Sequence, residues 1–487
     1  MRKVIAVILF IPLFLFFASQ AGAAETEERQ WQDESVYYIS IDRFMNGDNS
    51  NDREEDEAYH GGDLEGIIKQ LDYIKEKGFT AIEISPMMAN QDGGYHGQWI
   101  DDFRSVDEHF GTMKKAEELV EAAHDLDLKV MFDFVVSHTG SDHPWKEDPQ
   151  KNDWYAETDT TYPEAWTENM SVLNLENSQV QSYFLDTAEF WIKETGVDAF
   201  HLHSAVPLPD KFYTDLEERV QSVQKGFGLF TENLKGEDDS SVSFQSVTRD
   251  TFQSSGKSLD DLYTVWEDNV EHKGKPYETL RYIDDPSTGR FTHLAVEEGQ
   301  NPITRWKLAL TYQFTIPGIP VMYFGTELPL DDGGDPSTIK MMNFKAGDEQ
   351  LKQRIDNLTS MRAQFPALTR GDYKEMYNEE GLAIFKRSYE DQTMIVAINN
   401  AEETKAAVLS GLPEGQQLRG LLHDGMVRQQ DNGEYRLGME RETADVFVVE
   451  PDEGYNWLFI GFVGGVLSLF VIAVTVISLK NRKTENS

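Results

Sequence analysis

The chain has 487 residues, 39% hydrophobic and 11% aromatic, enough for two or three domains with a large core. It has no cysteine, which excludes disulfides and thiolate metal sites. Its net charge of -42 at pH 7 argues against nucleic acid and anionic headgroups as partners and is compatible with neutral sugars and with cations.

In chain order, residues 1–23 read as a secretory signal: Arg2 and Lys3, an apolar run from Val4 to Ala18, then Ala21-Gly22-Ala23 as a cleavage pattern. From Ser35 the pattern alternates strand and helix. Strands are expected at Val36 to Ile41, Thr80 to Ile84, Lys129 to Val136, Gly196 to His203, Gly228 to Thr231, Leu280 to Ile283 and Ile319 to Phe324, with a weaker sixth in the order near Leu259 to Tyr263. Helical spacing fills Leu64 to Lys77 and Lys115 to Leu126. Such alternation with apolar strands predicts a parallel (β/α)8 barrel over residues 35–368. A segment rich in Trp and Tyr, 139–179, interrupts it after the third strand and reads as a small inserted domain. Beyond Tyr373 short alternating strands, such as Ala383 to Arg387 and Thr393 to Ile398, predict an all-β sandwich domain over 373–450. The uncharged run 457–479 is long enough to cross a bilayer, and the basic tail 480–487 sets that tail in the cytoplasm. The expected layout is an exported body outside the cell, anchored by one C-terminal helix.

The fourth strand carries the most informative residues. Gly196-Val-Asp-Ala-Phe-His-Leu-His203 puts His201 and His203 on one face, because strand side chains alternate. Ordered motifs surround it: Ile41-Asp42-Arg43-Phe44, His60-Gly61-Gly62-Asp63-Leu64, Tyr95-His96-Gly97-Gln98-Trp99, Gly318 to Glu327 and Phe365-Pro366-Ala367-Leu368. By these the chain, over roughly 35 to 450, resembles the α-amylase family, glycoside hydrolase family 13. The resemblance implies α-glucans or maltooligosaccharides as ligands.

Asn46, Asp48, Asn51 and Asp52 crowd one loop, with Asp63 after Gly61-Gly62. That set suits either a hard cation, which takes about six to eight oxygen ligands, or a solvated Asn/Asp turn. The resemblance implies a structural Ca2+ held by Asn46, Asp48, Asn51, Asp52, the Gly61 carbonyl and Asp63. At a second calcium site of the family, Ser137 and Val172 stand at ligand positions and supply no comparable group.

Retaining glycosidases use two carboxyl groups about 5 Å apart, one nucleophile and one acid/base. The resemblance implies Glu232 as the acid/base. His203 stands at the nucleophile position, Ser287 at the third carboxylate and His201 at the steadying Arg; Gln98 replaces a stacking Tyr. Asp284 or Asp285 recovers a carboxylate only through a local register shift. His96, Trp99, His138 and His201 are the expected substrate-binding residues, and Asp102 and Asp133 match as structural ones. Trp145, Trp154, Tyr155, Tyr162 and Trp166 suit either sugar stacking or the core of the insert. The expectation is a surface carbohydrate-binding or scaffold protein with impaired or absent hydrolysis. Two alternatives stay open: an active α-glucan hydrolase with a displaced nucleophile, and a metal-dependent enzyme in which His201, His203, His138 and Glu232 hold an ion.

Overall fold

Seven parallel strands, β1 (Val36–Ile39), β2 (Ala81–Ile84), β3 (Lys129–Val135), β4 (Ala199–His203), β5 (Gly228–Phe230), β6 (Leu280–Tyr282) and β7 (Ile319–Tyr323), hydrogen-bond in the order β6-β7-β1-β2-β3-β4-β5 in the computed structural model. The structure describes residues 29–52, 58–157, 167, 169–231, 240–272, 277–452, 454, 461–472 and 474–475. The strands are buried on both faces, as a sheet covered by helices requires. Among the described residues no strand lies between β5 and β6. The stretch read as a sixth strand, Leu259 to Tyr263, instead opens the helix Asp260–His272. Asp260 and Asp261 lie in its first turn, and the Ser258 hydroxyl accepts the Asp260 amide at 3.2 Å. Acidic residues at a helix N-terminus favour that outcome. The expected helix Leu64 to Lys77 is two, Leu64–Ile68 and Leu71–Glu76.

In the insert, His138–Gly140 pairs antiparallel with Met170–Val172. Trp145 stacks on Phe103 at 5.5 Å and meets Trp154 edge-on at 4.8 Å. These two tryptophans are therefore core residues of the insert. Tyr162 and Trp166 lie outside the described residues.

The C-terminal strands run β8 (Asp372–Glu379), β9 (Leu382–Tyr389), β10 (Gln392–Asn399), β11 (Lys405–Leu409), β12 (Gln416–Gly420), β13 (Met426–Arg428), β14 (Tyr435–Met439) and β15 (Thr443–Pro451). Six form one sheet, β8-β9-β10-β15-β12-β13, and β11 pairs with β14. Period-2 alternation splits β10 between two cores. Met394, Val396 and Ile398 join the barrel core, while Ile395 and Ala397 face the sandwich interior. Buried polar side chains lock the domains. Arg305 donates to Asn400 Oδ1 at 2.7 Å and to Glu442 at 2.6 Å. Asn400 in turn donates to the carbonyls of Thr251 and Ser254.

The expected signal peptide, 1–23, lies outside the described residues, as does the tail 480–487. Of the run 457–479 the described part is 461–472 and 474–475, and no described helix is long and apolar enough to cross a membrane.

Candidate functional site

Parallel register builds the centre. Tyr38 on β1 pairs with Glu83 on β2, and Asp133 on β3 pairs with His201 on β4. Side chains on one face of these strands meet inside the barrel. His201 Nδ1 lies 2.7 Å from Glu83 Oε1 and 3.7 Å from Asp133 Oδ1. His203 Nε2 lies 3.1 Å from Asp133 Oδ2. Tyr38 donates its hydroxyl to Asp133 Oδ2 at 2.6 Å, and Tyr282 donates to the Glu83 carboxylate at 2.7 Å. The His201 ring also stacks on Tyr282, and the two histidine rings are 4.7 Å apart.

Both carboxylates are fully buried, and their environments separate them. Burial and the Asp133 charge push Glu83 up to about 8. Burial also raises Asp133, but the His203 and His201 imidazoles outweigh it and hold that carboxyl below the usual range. Glu83 escaped the sequence analysis. A single acid in Ala-Ile-Glu-Ile carries no signal until register sets it beside β3 and β4.

The expected substrate-binding residues divide by burial. His96 and Trp99 are partly exposed and meet edge-on at 4.7 Å. His138 is fully buried; its Nδ1 lies 2.9 Å from Ser137 Oγ, and its ring bonds the Gln98 backbone. His138 is thus occupied by protein groups and does not join the His201 and His203 cluster, contrary to the expected metal set. His201 is buried against Glu83. Glu232, the expected acid/base and the other member of that set, lies outside the described residues.

After β6, Asp284 is buried between two guanidinium groups, Arg249 Nη1 at 2.5 Å and Arg290 Nε at 3.2 Å, and accepts the Phe291 amide. Asp285 accepts from Ser287, both amide and hydroxyl, and from Gln245. Ser287 itself is exposed. Neither aspartate is a free carboxylate.

In the Asn/Asp loop, Asn46 donates to both Asp52 oxygens at 3.1 and 2.9 Å, and Gly61 packs against the same two side chains. Asp48 accepts the Ser50 amide, and Asn51 donates to the His109 carbonyl. Asp63 accepts amides from Gly47, Asp48 and Gly66, the last as N-cap of Leu64–Ile68. Asn46 Oδ1 and Asn51 Oδ1 are buried without a hydrogen-bond partner. Unpartnered amide oxygens of this kind, in a loop that also holds Asp52, suit a hard cation.

Residues 38–222 match the family profile described as "Alpha amylase, catalytic domain", and 371–447 match "Alpha-amylase C-terminal domain". The chain is 32% identical to a Beta/alpha-amylase of Paenibacillus polymyxa over 86% of its own length but only 38% of that protein. It is 31% identical to a Cyclomaltodextrinase of Thermoanaerobacter pseudethanolicus, covering 77% of this chain and 71% of that one. A solved α-amylase of Anoxybacillus superposes with a TM-score of 0.81 at 43% identity, over 88% of this chain and all of the other.

Enclosure of the inner part of the His96 ring, with the Arg43 charge nearby, and full burial of His138 push both down to about 3, so both are neutral in the folded protein at neutral pH. Unfolded histidine titrates near 6.5. Below that pH the unfolded state binds more protons, so stability is full above about 6.5 and is lost as pH falls towards about 3. Glu83 has the opposite sign, since its raised value favours folding at low pH, but His143, pushed down to about 4 by burial, adds to the two histidines. The urea midpoint should therefore fall between pH 6.5 and 4.5. Each histidine contributes up to ~1.4 kcal/mol per pH unit. His138→Gln should flatten the dependence, and an unchanged slope in that variant would refute the assignment.

Proposed function

The chain belongs to the α-amylase family, glycoside hydrolase family 13, and within it we propose an α-glucan-binding protein that does not hydrolyse its ligand. The observation that carries this reading is His203 at the nucleophile position, on a strand that offers no carboxylate. The glycosidase transition state is oxocarbenium-like and gains from carboxylates aimed at the sugar carbon. A neutral imidazole supplies no such field, and a protonated one opposes it. Among the described residues, three barrel carboxylates are already committed: Asp133 to Tyr38 and His203, Glu83 to Tyr282 and His201, Asp284 to two arginines. The family and the names of the relatives support an α-glucan or maltooligosaccharide as ligand, with His96 and Trp99 as its contacts at the barrel mouth.

The full chain should bind maltooligosaccharides, and Trp99→Ala should weaken that binding. Starch and maltooligosaccharide hydrolysis should not exceed that of a Glu232→Gln control. Loss of a nucleophile removes several orders of magnitude, each tenfold being about 1.4 kcal/mol of barrier. Robust hydrolysis that vanishes in the control would instead establish a hydrolase with a displaced nucleophile.

A structural Ca2+ belongs to the same reading, held by Asn46, Asn51, Asp52 and the Gly61 carbonyl, with Asp48 at the rim. Asp63 acts there chiefly as a helix cap. A ligand at about 100 times its dissociation constant adds roughly 2.7 kcal/mol of stability. Chelation should lower the melting temperature, and Ca2+ but not Mg2+ should restore it. Asp52→Ala should abolish the response. Asp63→Ala should lower stability with or without calcium, by about 1 kcal/mol for the lost cap. A melting curve indifferent to chelation rules the site out.

Export by residues 1–23 and anchoring by 457–479 complete the proposal. Every described residue of 461–472 is exposed, including Phe462, Leu469 and Phe470, an apolar helix that suits lipid contact. Protease added to intact cells should remove the body and leave an epitope placed after Lys480 protected. A protected body would overturn this orientation.

A further inference from the structure

We propose that Glu83, Asp133, His201 and His203 form a binding site for a divalent transition-metal ion of the Zn2+ class. One ligand atom from each residue lies within 4.8 Å of the others. Tetrahedral Zn2+ holds its ligands at about 2.0–2.2 Å, which sets them about 3.3 Å apart. The separations of 2.7, 3.1 and 3.7 Å among Glu83, His201, Asp133 and His203 straddle that value, so small side-chain rotations suffice. Two imidazoles and two carboxylates suit Zn2+, Co2+ or Mn2+, and disfavour Ca2+ and Mg2+, which take oxygen ligands.

Three further observations point the same way. Asp133 Oδ1 is buried in the cluster without a hydrogen-bond partner, and the described contact of His203 Nε2 is Asp133 Oδ2 at 3.1 Å, so both atoms face the space a metal would use. Tyr38 and Tyr282 donate to the two carboxylates from outside the cluster, the arrangement of outer-shell groups that orient metal ligands. Finally, the basic partners of the two buried carboxylates among the described ion pairs are histidines alone, and a divalent ion would balance both carboxylates with the imidazoles neutral. Glu83, Asp133 and His201 are buried, while the His203 side chain keeps 19% of its surface open, which gives an ion a way in at the end of β4.

The site rests on these four side chains alone and is read by metal content, so its failure is distinct from a failure of catalytic silence. The test uses the purified full chain, stripped with a chelator, incubated with Zn2+ or Co2+ and desalted. We expect one equivalent of Zn2+ to be retained, and the bound Co2+ to show the visible absorption of a tetrahedral N/O site. Asp52→Ala should retain the ion. Tyr282→Phe should weaken affinity about 10- to 100-fold, as outer-shell losses do, and His203→Ala should weaken it further. Circular dichroism confirms that each variant is folded. Absence of retained Zn2+ in the wild-type protein overturns the proposal, and so does wild-type affinity in folded His203→Ala.

Discussion

Two carboxylates with no access to water stand at the centre of this barrel, and most of its interior arrangement answers to them. A buried carboxylate is tolerated only with donors or positive charge close by. Glu83 has Tyr282 and His201; Asp133 has Tyr38 and His203. These six side chains come from β1, β2, β3, β4 and β6, so the network ties the sheet across its interior as well as along its hydrogen-bonded edges. It also couples positions that are far apart in sequence. Removing one partner of a buried ionic pair costs about 3–5 kcal/mol, because the other charge is left unpaired. His201 is therefore explained by Glu83, and neither residue is intelligible alone.

That coupling decides what could be read from the sequence. The shared face of His201 and His203 was legible, because alternation needs only the strand itself. Seven of the eight expected strands were legible for the same reason: apolar runs of strand length with clear stops. The sixth was not. Leu259 to Tyr263 has strand-like apolar content, and the signal that mattered was Ser258 ahead of Asp260-Asp261, a helix N-terminus. Glu83 was invisible because its partners lie 118 and 199 residues away. The spatial grouping was half legible: His201 and His203 do lie together, but His138 is spent on Ser137 and Gln98, and Asp133 on the adjacent strand stands beside them instead. Asp63 illustrates a different ambiguity. An Asp before Leu-Glu-Gly is both a metal ligand and a helix cap on paper, and here three backbone amides claim it.

The far side of the mouth follows the same electrostatic rule with different residues. Asp284 is fully buried, and burial raises its carboxyl while Arg290 and Arg249 pull the other way. Arg249 also donates to the carbonyls of Ile283 and Gly289, so one guanidinium spans the whole turn after β6. The Arg290 amide is capped by Asp332 from the loop beyond β7. The carboxylate that sequence alone allows as a stand-in thus holds the turn together instead. Ser287 rides on the outside of that turn, bonded to Asp285, and adds no charge.

A frame this well supported does not need its centre to be of one kind. The domain junction is held by Arg305 and Asn400, the turn after β6 by Arg249 and Arg290, and β1 to the loop beyond β7 by Tyr37 on Glu327 at 2.7 Å. None of these contacts passes through His201 or His203. The strands meanwhile obtain their stability from apolar residues buried on both faces and from backbone pairing, which are indifferent to the polar residue at a strand end. Substitution at the end of β4 is then limited by local charge balance rather than by folding of the whole. The requirement on that position is an electrostatic partner for Asp133, and an imidazole meets it where a further carboxylate would set a like charge beside Asp133.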